Sequence, residues 1–238
     1  MTCDLDRTFA ALAARLPESE NAEFTFSADT VPPLPASMRT DRLVIEKTYH
    51  AYDSFFRRDA LHLHASKSTY RQFAVLIASV LFSRDMGQVV LLLDHPASAI
   101  RRIVVRTSAH GGAEGPGFHS RPFALNYCPG NVSKHPFGDA MAPHDLPAFL
   151  LTNEAECVTQ EADWERRDTV IGFGSDVGMA HLIELLLDAS RSSSPVDECA
   201  LEGEGGFRGV APFSCEVRLW LPGSFGWKEE FWSADHAP

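Results

Sequence analysis

Histidines and a cysteine carry the metal-ligand chemistry of this chain. His62 and His64 are two residues apart, so on a strand both would point to the same side. His119 and His135 lie in a later stretch that is rich in Gly, Pro and His and also holds Cys128. Such side chains bind zinc, which can activate water for a metal-assisted hydrolase. Only His62 and His64 are closely spaced, so we expect no bound metal and keep this hydrolase as the alternative function.

A second group of residues has the chemistry of protein recognition. Glu161, Asp163 and Glu165 surround Trp164 in a short acidic stretch. Carboxylates at the rim of an interface speed the encounter with a basic protein, and a buried aromatic ring anchors it. We predict that these four residues bind a basic partner protein. The alternative is that the stretch is simply a solvated acidic surface.

A glycine-containing turn has the general form of two catalytic motifs but fits neither. Gly172, Gly174 and Gly178 lie around Ser175, and their spacing is one residue away from a dinucleotide-binding fingerprint. The nucleophile turn of a hydrolase would need glycines where this chain has Phe173 and Val177. Ser175 is more simply the cap of a helix. We therefore predict no catalytic residue and no cofactor.

These candidate residues lie in or between two copies of a weak internal repeat. Residues 60–106 and 169–222 each have the pattern strand, helix, strand, strand, and the offset that places Ser66 on Ser175 aligns their first halves without gaps. A duplicated unit of this kind predicts an α+β fold. We expect two related modules with mixed or antiparallel sheet pairing and the helices on one face.

The repeat divides the chain into three parts. We expect an N-terminal helix and the first module in residues 1–106, a Gly-, Pro- and His-rich insertion in residues 107–164, and the second module in residues 165–238. The two modules could form one pseudo-symmetric domain or two domains in contact.

The helix of the second module is apolar on nearly every side. His181, Glu184 and Asp188 recur at helical spacing and predict one narrow solvated stripe. Leu186 lies opposite this stripe and is predicted to be in the core.

Composition and charge exclude several classes of function. A net charge of −11 argues against nucleic-acid binding, which needs clustered Lys and Arg. The five cysteines form no C-x-x-C pair, which is typical of reduced thiols in a cytoplasmic protein. We find no secretory signal and no apolar run long enough to cross a bilayer, and so expect no membrane association.

Three features of the second module stand together: the turn Gly-Ser-Asp-Val-Gly-Met at residues 174–179, the Leu-rich helix that follows, and strands at residues 199–201 and 214–219. With these features the module resembles a small α+β immunity-protein family of bacterial polymorphic-toxin systems. The resemblance implies a cytoplasmic, non-catalytic protein that neutralises a cognate toxin by direct binding.

Overall fold

The computed structural model describes two α helices and eleven strands. The described residues are 24–26, 36–53, 56–82, 88–107, 123–125, 146–152, 161–191, 199–201, 210–211 and 214–232. The helices are α1 (Lys67–Phe82) and α2 (Asp176–Arg191). The strands are β1 (Phe24–Phe26), β2 (Ser37–Thr40), β3 (Leu43–Asp53), β4 (Phe56–Ala65), β5 (Gln88–Leu93), β6 (Arg102–Thr107), β7 (Phe123–Leu125), β8 (Ala148–Thr152), β9 (Thr169–Gly174), β10 (Cys199–Leu201) and β11 (Glu216–Trp220).

Both helices begin at a serine cap. The Oγ of Ser66 accepts the N–H of Thr69 at 3.2 Å, and the Oγ of Ser175 accepts the N–H of Gly178 at 3.2 Å. Each bond satisfies an N–H that the first turn of a helix leaves without an internal partner. The two caps occupy the positions that the repeat aligned.

The strands form two larger sheets and one pair. The five-stranded sheet has the order β2-β5-β6-β9-β8, the four-stranded sheet has the order β10-β11-β4-β3, and β1 pairs with β7. Both larger sheets are mixed, with β6–β9 and β4–β11 as parallel pairs. The predicted α+β class with mixed sheets is thus confirmed.

The two modules exchange strands. β4 precedes α1 but lies in the four-stranded sheet beside β11 of the second module. Reciprocally, β9 precedes α2 but lies in the five-stranded sheet beside β6 of the first module. Each module therefore contributes strands to both sheets, and one main core cluster draws on both modules.

The exchanged strands start their pairing at equivalent positions of the repeat. Thr169 pairs with Arg102, and Ala60, which the repeat aligns with Thr169, pairs with Glu216. The repeat also extends further than the sequence indicated, because β3 precedes β4 as β8 precedes β9, and both pairs are antiparallel. The repeated unit is strand, strand, helix, strand, strand.

A matched pair of serines joins each sheet to the other. In one module, Ser98 accepts the N–H of Ile45 on the outer edge of β3 at 3.2 Å. In the other, Ser214 accepts the N–H of Phe149 on the outer edge of β8 at 2.9 Å. The residue after each serine donates its own N–H to the carbonyl of the same strand residue, at 2.9 and 2.8 Å. Both outer edges are thereby hydrogen-bonded.

The predicted solvated stripe on α2 is wrong. His181 is 5% exposed and Glu184 is fully buried, because α2 packs against both α1 and β9. Leu186 is 1% exposed, which confirms its predicted place in the core.

Candidate functional site

The outer face of the four-stranded sheet carries the first group of candidate residues. Leu61 and Leu63 of β4 point into the core, so His62 and His64 lie on the opposite face. Residues 221–232, here named the C-terminal segment, lie against this face and contact His64 through Trp227. The sequence correctly placed both histidines on one side of a strand.

The two ring nitrogens of His62 have donor and acceptor roles that do not suit general-base catalysis. The indole N–H of Trp220 donates to Nδ1 of His62 at 3.0 Å. In the neutral ring the proton is therefore on Nε2, which donates to Oγ1 of Thr48 at 2.9 Å. A base that activates a hydroxyl must accept at that position instead. The Thr48–His62 pair is accordingly a structural link between β3 and β4.

His64 is a buried, neutral histidine. Its side chain is 0% exposed, and burial lowers its pKa to about 4, although the nearby Glu46 carboxylate opposes the shift. In the neutral ring, Nε2 donates to Oε2 of Glu46 at 3.1 Å. The other carboxylate oxygen accepts from Nζ of Lys228 at 2.5 Å, which ties the C-terminal segment to β3.

Aromatic contacts complete the packing of this face. The rings of Phe231 and His64 are perpendicular, with centroids 5.1 Å apart. Trp227 stacks nearly parallel on Trp232 at 5.5 Å, and Trp232 contacts His95 at 5.2 Å. The outer face of the sheet around His64 is therefore covered by the chain's own aromatic side chains.

The described residues assemble no metal centre. Among them, no group of three or more His, Cys, Asp and Glu side chains is placed to hold a metal ion. Of the four histidines considered as ligands, His62 and His64 are placed as above, and His119 and His135 lie outside the described residues. The thiol of Cys215 is buried, and burial raises its pKa to about 12, so it is not a nucleophile near neutral pH.

Close packing accounts for the glycines near Ser175. A Cβ on Gly172 would lie 3.1 Å from the Phe149 ring, and a Cβ on Gly174 would lie 3.2 Å from Cα of Pro147. Both glycines let β8 and the residue before it approach β9. This packing requirement explains Gly172 and Gly174 without a bound phosphate.

The acidic stretch forms a short 3₁₀ helix, Glu161–Arg166, that Lys47 clamps to β3. Nζ of Lys47 donates to the carbonyl oxygens of Trp164 at 3.0 Å, Glu165 at 2.6 Å and Arg167 at 2.8 Å. These carbonyls lie at or just beyond the C-terminal end of the helix, where a cation is favourable. Burial lowers the pKa of Lys47 from its usual value.

The side chain of Trp164 is half-buried and contacts the rest of the protein. Its indole N–H donates to Oδ1 of Asp59 at 2.8 Å, and its ring packs against the main core. Nζ of Lys47 lies 4.9 Å from the ring centroid, and Arg167 bonds the other oxygen of Asp59 at 3.3 Å. Through these contacts Trp164 holds the 3₁₀ helix against the sheet.

The other predicted partner-binding residues lie along the same helix. Glu165 is exposed, whereas the side chains of Glu161 and Asp163 lie outside the described residues. Their backbone belongs to the 3₁₀ helix, so the structure brings the three acidic positions into one short element.

Comparisons with known proteins find no relative of this chain: no family model, curated protein or solved structure matches it. Separately, neither described α helix combines the length and the apolar character that crossing a membrane requires.

Proposed function

We propose that this protein is a non-catalytic binding protein of the immunity or defence type, which neutralises or sequesters a basic partner protein. The supporting observation is the clamped 3₁₀ helix Glu161–Arg166, an acidic element held by Lys47. The proposal places the protein in the cytoplasm, as its five cysteines and the resemblance to immunity proteins suggest.

The mechanism needs no reacting group. Acidic side chains on the helix attract a basic surface and orient it during the encounter. Because Lys47 and Trp164 already hold the helix in place, little of its conformational freedom is lost on binding. The bound protein then blocks the partner's working surface by occupying it.

The roles of His62 and Cys215 favour this function over hydrolysis. His62 donates to Thr48 instead of accepting from it, and the buried Cys215 thiol holds its proton. These two groups thus serve the fold rather than acting as a base or a nucleophile for a substrate.

Binding kinetics with the product of the adjacent gene test this function. We expect the association rate to fall as salt rises, because salt screens exposed charges. Glu165→Lys should slow association several-fold at low salt, and the triple variant with Glu161→Lys and Asp163→Lys by about tenfold. Asp41→Lys changes the charge by the same amount as Glu165→Lys at another exposed site and is the matched control.

The variant Lys47→Met distinguishes the effect of the position of the helix on binding from the effect of its charge. This variant keeps the acidic side chains but removes the clamp, so we expect weaker binding together with faster hydrogen exchange in residues 164–167. If neither salt nor any of these substitutions changes the association rate, the helix is not part of the interface. No binding to the adjacent gene product, at low or high salt, would count against the immunity function itself.

A further inference from the structure

Phe225 is exposed in a way that sets it apart from the other aromatic residues of the C-terminal segment. Trp227, Phe231 and Trp232 all contact histidine or tryptophan rings of the protein. Phe225 is 98% exposed and is the one large apolar side chain so exposed among the residues that the structure describes. A partner protein could therefore bury almost the whole ring.

Hydrogen bonds fix the backbone on both sides of Phe225. The N–H and Oγ of Ser224 donate to the carbonyl of Leu221 at 2.9 and 2.7 Å. The N–H of Trp227 donates to the carbonyl of Ser224 at 3.1 Å. Gly223 has φ of 84°, in the left-handed region that favours glycine. These features define two successive turns with Phe225 at the tip.

The turn is also packed against the sheet. A Cβ on Gly226 would lie 2.5 Å from the Trp220 ring, so only glycine allows the backbone to come this close. Trp220 is held by its bond to His62. The residue next to Phe225 therefore rests on a fixed aromatic ring, and Phe225 is directed away from a rigid base.

The charges near Phe225 indicate the kind of partner. Glu229 and Glu230 are exposed in the same segment, whereas the positive charge of Lys228 is paired with Glu46. The exposed carboxylates of the segment therefore outnumber its one cation, which disfavours both a phosphate backbone and an anionic membrane. A second copy is disfavoured by the net charge of −11.

We propose that Phe225 is the aromatic anchor of the partner interface and inserts into an apolar pocket rimmed by Lys and Arg on the basic partner. This inference rests on the proposed function and names a second contact, which lies on the outer face of the four-stranded sheet, whereas Lys47 and the 3₁₀ helix that it holds lie on the core-facing side of β3. Interface energy concentrates in aromatic side chains that become fully desolvated, with polar groups around them. Because the turn is already ordered, binding does not have to immobilise its backbone.

Site-specific photocrosslinking tests the anchor even while the partner is unidentified. The full-length chain is expressed with p-benzoylphenylalanine at position 225, in the cells that naturally produce this protein. Separate chains carry the same group at position 161 and at Ser37, an exposed control. We expect a discrete adduct with a basic protein from position 225 and none from Ser37.

The crosslinked protein is then purified and its affinity is measured. Phe225→Ala should weaken binding by about tenfold or more, whereas Phe225→Met, which keeps a long apolar side chain, should retain most of the affinity. Reversal of Glu229 and Glu230 to Lys should mainly slow association. Folding should be unaffected by these changes, because all three side chains are exposed.

Each remaining outcome is decisive. An adduct from position 161 but not from 225 would overturn the anchor and leave the proposed function standing. An adduct with a second copy of this chain would replace the basic partner by self-association. Unchanged affinity in Phe225→Ala would also overturn the anchor, and the absence of an adduct at both positions would count against the proposed function as well.

Discussion

At the scale of single residues, polar side chains hold the fold together, and one of them is a histidine whose type suits catalysis. His62 links β3 to β4 and receives the indole of Trp220, and Lys47 clamps a short helix by three carbonyl oxygens. A side chain fully committed to internal bonds has little capacity left for a substrate or a metal. His62 is of a type suited to catalysis, but its surroundings make it structural.

We expect His64 to make stability depend on pH. Its folded-state pKa of about 4 lies below the ordinary histidine value of 6.5, so between these values the unfolded chain binds the proton more strongly. The contribution of His64 to the free energy of unfolding is complete above pH 6.5. It is lost as the pH falls toward 4, by at most about 1.4 kcal/mol per pH unit.

Urea unfolding at about pH 7, 6 and 5 measures this slope. The wild type should lose stability on acidification, and His64→Gln should lose the part of the slope that His64 contributes. His62→Gln, on the same face of the strand, is the control and should keep it. Identical slopes in the wild type and His64→Gln would contradict the prediction.

At the scale of elements, the repeat predicts equivalent effects at equivalent positions. The helices begin at matched serines, and each has a buried aliphatic residue at the same aligned position, Ile77 in α1 and Leu186 in α2. The sequence places these residues at one common offset. Paired substitutions therefore test the duplication directly.

Removal of either cap should weaken the protein by a similar amount. Ser66→Ala and Ser175→Ala each lose a hydrogen bond to the first turn of a helix, which typically costs about 1 kcal/mol. Ser175→Asp keeps a capping oxygen and should retain most of the stability. Chemical denaturation gives the free energies of unfolding, and two losses below about 0.3 kcal/mol would show that the caps contribute little.

Truncation of the aligned core residues should be more costly. Leu186 is 1% exposed and Ile77 is fully buried, so Leu186→Ala and Ile77→Ala should each destabilise by about 2–5 kcal/mol through lost burial and a cavity. Phe225→Ala removes a large side chain from an exposed site and should change stability by less than about 0.5 kcal/mol. A loss below about 1 kcal/mol at Leu186 would mean that α2 is not packed as described.

At the scale of the whole molecule, strand exchange joins the two modules. Separating them would break the parallel pairs β4–β11 and β6–β9, each of which joins strands from different modules. It would also divide the main core cluster. We therefore expect the modules to fold as one cooperative unit.

Cleavage of the chain between the modules tests this cooperativity. After digestion at a protease site engineered between residues 126 and 145, the two fragments should elute together from a sizing column in native buffer. They should separate in urea and show a single unfolding transition. Separate elution without denaturant would contradict the interlocked arrangement.

The sequence by itself determined the features that depend on local pattern. Alternation along β4 placed His62 and His64 on one face, the cap Ser175 marked the start of α2, and the aligned positions of the repeat revealed the duplication. These signals lie within a few residues of the structure they specify, because strand and helix periods are local properties.

Only the tertiary structure decided which strands pair and which side chains remain exposed. Nearly every residue has the same backbone hydrogen-bond donor and acceptor. The local sequence of β4 therefore does not specify that it pairs with β11 of the other module. Similarly, Trp164 is half-buried against the protein's own core, whereas Phe225 is left in solvent. Both rings are apolar, and their exposure depends on what the distant chain places beside them.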